Sequence, residues 1–343
     1  MSKAVKIVVI TLAIILGLLT YFGFPGFIHG IKDGWKENCY TCEKETPKAN
    51  EEKQAESQAS TSEESSAPLE TKEVAYTPAI WKIEHNGKTS YLFGSIHGGD
   101  KSMYPLPEHI TNAFNESEVL AVEIDLSKVN QMEMAQMVQT LAIDFENPLP
   151  TVLSEKTKQE FDKYCETAKN VCNMVNNFEP WMAAMTVEAF EFTKAGYSEN
   201  YGIDKHFVSN AEGKEIVELE SLGSQLNMLD QMPVALQDLM LLGAVSKEGD
   251  DFSELMTAWK TGNIEQVLVQ AEQESKELGI DPVLLEQLNE IFLYQRNQAM
   301  ADGIAEVIVS GKSIFAVVGA LHYAGEKSVN HYLEEKGFKV ERL

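Results

Sequence analysis

Basic residues are in short supply: Lys and Arg together number 28 against 53 Asp and Glu, a formal net charge of -25 over 343 residues. A surface this acidic repels phosphate backbones and anionic lipid headgroups, so nucleic acid is excluded as a partner, as is an electrostatically bound membrane surface. Cysteine is sparse too. The 4 present fall into two local pairs, Cys39/Cys42 and Cys165/Cys172. No second C-x-x-C exists to complete a zinc site and no βαβ pattern surrounds Cys39, so short structural disulfides are expected, provided the compartment is oxidising. H-E-x-x-H is missing, which removes a single-helix metallopeptidase signature. Nor is there an internal repeat, apart from one short motif that occurs twice.

Only one long apolar run is present, Ile7 to Ile28, preceded by Lys3 and Lys6. It is about the length that spans a bilayer, roughly 20 residues. Its end, Thr20 to Gly26, offers no small-x-small cleavage site, so an uncleaved signal anchor over residues 1–30 is expected. The two lysines favour a cytoplasmic N-terminus. The remainder would then face the periplasm or the cell exterior from a single-pass inner or cell membrane protein. Residues 31–73 hold the Cys39/Cys42 pair and a Glu-, Ser- and Gln-rich stretch from about Glu43, too poor in large apolar side chains to offset its ordering entropy. That stretch is read as an acidic tether, and residues 74–343 as the folded domain.

The domain opens with two alternating runs, Ala79 to His85 and Lys88 to Phe93, joined by Asn86-Gly87, the strongest short-range hairpin signal. Val119 to Leu126, Gly213 to Ser221, Lys312 to Gly319 and Phe338 to Leu343 read as further strands. Helical spacing fills Lys128 to Ile143, Ser154 to Lys169, Pro180 to Lys194, Gln225 to Val245 around Pro233, and Pro282 to Val309. Strands alternating with helices predict an α/β fold, a mostly parallel central sheet flanked by helices, with a helical insertion at about 128–200.

The repeated motif is Gly94-Ser-Ile-His97 and Gly319-Ala-Leu-His322, each closing an apolar run. In open α/β sheets ligands bind beyond the carboxyl ends of the strands. Four candidate strands deliver His97, Glu123, Glu218/Glu220 and His322 there. Two histidines and a carboxylate are a common ligand set for a hydrolytic metal, with positions left for water. Arg296 stands in the apolar stripe Leu285, Leu288, Phe292, Ala299, Gly303, where a guanidinium requires an anionic partner. Asp204 falls in the first turn of a helix begun by Tyr201-Gly-Ile, and Tyr323 could donate to a reacting oxygen. His85, His109, His206 and His331 lack the glycine context and read as surface or packing residues, and Met132, Met134 and Met137 as helix packing.

These residues, with Trp81-Lys-Ile-Glu, Pro105-Leu-Pro107, Ala121-Val-Glu123-Ile-Asp125, Tyr201-Gly-Ile-Asp204, Gly213-Lys, Leu219-Glu220 and Gln295-Arg296-Asn297, resemble the TraB/GumN family, which includes the TIKI-type membrane-anchored metalloproteases. The resemblance covers about Ile80 to Leu343. It implies a fold similar to that of the erythromycin-esterase and ChaN-like haem-binding proteins. It also implies an active site of His97, His322, Glu123 and Arg296, with His97, His322 and Glu123 holding a divalent metal, manganese or cobalt favoured and zinc possible. Asp204, Glu220 and Tyr323 would support it. The expected activity is metal-dependent hydrolysis of a peptide or protein substrate. The alternatives are a non-catalytic protein that sequesters a peptide or haem, and a metal-independent, esterase-like hydrolase. Bacterial members are linked to inhibition of peptide pheromones, and Tyr323 stands where many members carry leucine.

Overall fold

Asn86 and Gly87 both take the left-handed backbone conformation, φ 49° and 77°, that a two-residue hairpin turn needs. They join β1 (Ile80–His85) to β2 (Lys88–Ser95), paired antiparallel from His85↔Lys88 to Ile80↔Phe93. The computed structural model describes residues 76–246, 251–277 and 279–343. The expected anchor, the tether and the Cys39/Cys42 pair lie outside them. Among the described residues no helix is long and apolar enough to cross a membrane.

From β2 the chain passes through α1 (Glu108–Glu116) to β3 (Val119–Val122). A helical stretch follows: α2 (Gln131–Leu141), α3 (Leu149–Val152), α4 (Glu155–Cys165), α5 (Lys169–Val175), α6 (Pro180–Lys194) and α7 (Ile203–Ser209). After β4 (Glu215–Glu218) come α8 (Leu222–Asp230), α9 (Val234–Val245), α10 (Asp251–Lys260), α11 (Ile264–Glu277) and α12 (Pro282–Asn289). A π-helical turn, Glu290–Tyr294, leads into α13 (Gln295–Val309), then β5 (Ile314–Gly319), a 3-10 turn (Ala320–Tyr323), α14 (Val329–Glu335) and β6 (Val340–Arg342). Cys165 and Cys172 are disulfide-bonded across the α4–α5 corner.

The sheet order is β4-β3-β5-β2-β1-β6. The first four are parallel; β1 is antiparallel to both β2 and β6. This is the α/β fold read from the sequence, its sheet parallel over four strands and antiparallel at β1 and β6. Every residue of β3 and β5 is buried, as β-branched runs covered on both faces require. One core surrounds the sheet, where the rings of Phe207 and Phe315 contact each other and both contact Phe93 and Phe114. A second is helical: Trp181, Met182 and Met185 of α6 pack with Leu229 of α8, Leu236 and Met240 of α9, Val267 of α11 and Leu288 of α12.

Two helical expectations are corrected. Pro233 ends the run that helical spacing carries through it: α8 stops at Asp230 and α9 restarts at Val234, since proline has no N–H for the helix ladder. The helix after Pro282 is interrupted by the π turn, whose extra residue shifts the phase. Ala299 is therefore exposed, and the buried face runs Arg296, Asn297, Met300, Ala301, Ile304, Ile308.

Candidate active site at the carboxyl ends of the parallel strands

Pairing β2 with β5 in parallel register sets Ser95 opposite Gly319, so the two glycine–histidine motifs emerge side by side. Gly94 has to be small here. A Cβ on it would stand 3.0 Å from the Cα of Ala320, at the start of the turn that carries His322. On the other flank β3 ends at Val122, and the backbone pairing continues beyond the strands, Leu219 N–H to Val122 O and Glu220 N–H to Glu123 O, each at 2.9 Å. His97, His322, Glu123 and Glu220 are thereby gathered at one edge.

The π turn brings Arg296 to this edge from α13. Arg296 is 6% exposed and Glu123 4%. Its Nε donates to Glu220 Oε1 (2.8 Å), its Nη2 to Glu123 Oε2 (2.9 Å) and Glu220 Oε2 (2.5 Å), and its Nη1 to the Phe292 carbonyl (3.0 Å) within the π turn. The anionic partner demanded by a guanidinium in an apolar stripe is thus a pair of carboxylates. Gln225 of α8 joins them, donating to Glu220 Oε2 at 2.8 Å and Glu123 Oε2 at 3.4 Å. The other Glu123 oxygen accepts the Gly319 N–H at 2.7 Å. Burial raises the pKa of Glu123, with the Glu220 and Asp204 charges in the same direction, against the lowering pull of Arg296 and His97.

Each histidine is held by its Nδ1 and leaves its Nε2 buried without a hydrogen-bond partner. His97 Nδ1 meets Asp204 Oδ2 at 2.8 Å, and Ser95 Oγ donates to Asp204 Oδ1 at 2.7 Å. Burial works against a charged His97, yet Asp204's charge and hydrogen bond, with Glu123 assisting, outweigh it and raise the pKa to about 9. Burial likewise opposes a charged Asp204, and His97 and Ser95 hold its pKa below the ordinary value. His322 is fully buried, with Nδ1 2.5 Å from Asn297 Oδ1 and Nε2 3.9 Å from Glu123 Oε1. Burial, Arg296 and His97 depress its pKa well below 6.5.

Of the sequence-predicted residues, the structure therefore brings together His97, His322, Glu123, Arg296, Asp204 and Glu220. Tyr323 is not brought to the cluster: its hydroxyl donates to the Ala316 carbonyl of β5 and its ring lies 5.0 Å from Trp81. Glu218 accepts the Asp125 amide at 2.9 Å instead. His85 packs on Phe338, His206 on Tyr104 and Phe207, and His331 pairs with Glu335. Gln225, Asn297 and Ser95 join the cluster without having been read as site residues. Ser95 lies inside the Gly94–His97 motif and Asn297 next to Arg296 on a helix, whereas Gln225 carried no signal.

One further glycine sets the position of His97. A Cβ on Gly202, the residue before α7, would meet the His97 carbonyl oxygen at 2.5 Å and that of Glu199 at 3.0 Å. Both are backbone atoms, so the His97 loop or the start of α7 must move. Gly202→Ala is expected to destabilise the protein by about 1–3 kcal/mol, the usual overpacking cost, and to lengthen the His97–Asp204 contact. Chemical denaturation checks the first effect. A stability equal to wild type would show that the loop relaxes freely.

Two curated relatives, each titled "Uncharacterized protein YbaP", come from Shigella flexneri and Escherichia coli (strain K12). Each is 26% identical over 263 residues, covering 75% of this chain and 92% of the relative. No solved structure matches. The sequence profile of the TraB/PrgY/gumN family matches residues 79–342, a span holding the whole sheet and both glycine–histidine motifs. This chain belongs to the TraB/PrgY/gumN family.

Proposed function

We propose that this cluster is the active site of a metal-dependent hydrolase acting on peptides, tethered by its N-terminal run to the outer face of a cell membrane. The observation that carries the reading is the pair of buried, partnerless Nε2 atoms on His97 and His322, each ring fixed through Nδ1 by Asp204 or Asn297. Metal-binding histidines are held in this manner, with the other nitrogen donating to a carboxylate or amide oxygen. The atoms left to hold a divalent cation are the two Nε2 atoms. Glu123 fits less well as a third ligand, because Gly319 N–H and Arg296 occupy its oxygens. A bound manganese, cobalt or zinc ion would supply a water of lowered pKa and a Lewis acid for the scissile carbonyl.

The remaining roles belong to this chain's own side chains. Glu123 has a pKa raised by burial, which brings a carboxylate nearer to the range where it accepts a proton efficiently. Arg296 directs N–H groups to Glu123, Glu220 and Phe292, which supports orienting Glu123 over binding an oxyanion. The test is metal content and peptide-library cleavage on residues 74–343. About one equivalent of metal, lost in the His97→Ala/His322→Ala double variant, with cleavage abolished by chelator, is the expected result. Neither metal nor turnover would end the hydrolase reading, leaving peptide or haem sequestration, the latter visible as a Soret band with hemin.

A second reading, metal-free hydrolysis, draws on two observations. Among the described residues no three His, Cys, Asp or Glu side chains are grouped as metal ligands. His97 and His322 have pKa values pushed in opposite directions, the pattern of an acid and a base sharing a site. Cleavage that survives exhaustive chelation would select it.

A further inference from the structure

We propose that Asn297 is a positioning residue that locks His322 in a single tautomer, with the ring hydrogen on Nδ1 and the Nε2 lone pair facing the cluster. Asn297 is 1% exposed. Its Nδ2 lies 2.7 Å from the Lys327 carbonyl oxygen. A carbonyl oxygen has no hydrogen to give, so the amide atom facing it must be the NH2. That leaves Oδ1 as the atom 2.5 Å from His322 Nδ1. An amide oxygen only accepts, so Nδ1 must carry the hydrogen. The unprotonated nitrogen of the neutral ring is then Nε2, the buried atom without a partner, 3.9 Å from Glu123 Oε1.

The lock is anchored outside the site. Lys327 directly precedes Ser328, the N-cap of α14, whose side chain accepts the His331 N–H. The start of α14 therefore sets where the Lys327 carbonyl points, and α13 carries the asparagine between it and the histidine. The contrast with His97 is chemical. Asp204 offers that ring a negative charge, whereas Asn297 offers His322 an acceptor without charge. Both rings therefore carry their hydrogen on Nδ1, one facing a charged acceptor and the other a neutral one. A neutral histidine side chain free in water favours the hydrogen on Nε2, so without Asn297 the lone pair would turn away from the cluster.

Only the use of Nε2, as ligand or base, rests on the proposed function; the tautomer itself is measurable without metal or substrate. The experiment is long-range proton–nitrogen NMR on the metal-free full-length chain labelled with nitrogen-15 histidine, near neutral pH. Wild type should show a pyrrole-type Nδ1 and a pyridine-type Nε2 at His322. Asn297→Asp keeps an acceptor on Nδ1 but brings the charge that Asp204 brings to His97, so it should shift His322 toward the doubly protonated ring, with both nitrogens pyrrole-type. Asn297→Ala should move the hydrogen toward Nε2 and weaken Mn2+ binding about 10–100-fold, as loss of such a supporting contact does. Lys327→Ala leaves the backbone carbonyl in place and should leave the tautomer unchanged. A pyridine-type Nδ1 in the wild type, or an unchanged spectrum in Asn297→Ala, would overturn the lock. If Asn297→Ala does not fold, the wild-type spectrum still decides. A chain with the expected tautomer that neither binds Mn2+ nor cleaves peptides would support the lock and end the metal-dependent reading.

Discussion

Replacing Arg296 with alanine should cost about 3–5 kcal/mol of folding stability, the range for breaking a buried ion pair by removing one partner. The loss comes chiefly from what is left behind. Glu123 and Glu220 have side chains 5% and 11% exposed and share the same Nη2 of Arg296. Without the guanidinium, two carboxylates stand together away from water, with Gln225 their one remaining side-chain donor in common. For a domain of this size such a loss corresponds to a melting temperature lower by roughly 10 °C. Arg296→Lys should recover little, because one ammonium cannot reproduce the Nε and Nη2 contacts to both carboxylates and the Nη1 contact to Phe292 O. Arg296→Ala/Glu220→Gln should be more stable than Arg296→Ala alone, since one stranded charge is gone. Urea unfolding of the three variants checks the set. A loss under about 1 kcal/mol in the single variant would mean that the pair is solvated like a surface salt bridge.

The cluster was legible in the sequence because most of its members sit at ends of strands that announce themselves. Val119 to Val122 and Ile314 to Gly319 are apolar runs rich in β-branched residues that read as buried strands, and residues just past the ends of parallel strands lie at the ligand edge of the sheet. Arg296 was visible as a charge in an apolar stripe. The contributions that were missed depend on orientation. His322 and Tyr323 are neighbours in sequence, but the 3-10 turn sends one ring to Asn297 and the other to Trp81. Periodicity cannot show that direction. The π turn was equally invisible, since no residue in Glu290–Tyr294 forbids an ordinary helix, and its one-residue shift brings Asn297 onto the buried face beside Arg296. The helical core likewise draws α8, α9, α11 and α12 onto the helices before β4. That association reflects surfaces far apart in the chain, which a local pattern does not encode.

His97→Ala should reduce turnover by at least about 100-fold, the low end for a group that handles a proton or ligand at the reacting centre. It should also carry a stability penalty that depends on pH in a defined direction. Asp204 holds the His97 pKa at about 9 against the ordinary 6.5. A pKa raised on folding stabilises the protein fully below 6.5 and loses that contribution as pH climbs through about 9. The difference corresponds to about 3 kcal/mol in the metal-free protein. The gap in unfolding free energy between wild type and His97→Ala should therefore be widest near pH 6 and narrow toward pH 10. The variant at low pH leaves Asp204 buried with Ser95 and no cation, so His97→Ala/Asp204→Asn should regain stability without regaining turnover. Measuring both quantities in the same variants separates the two roles of the ring. A penalty independent of pH would show that His97 keeps its ordinary pKa in the folded protein and that Asp204 merely orients it. Turnover in His97→Ala equal to wild type would remove His97 from the active site, whatever its effect on stability.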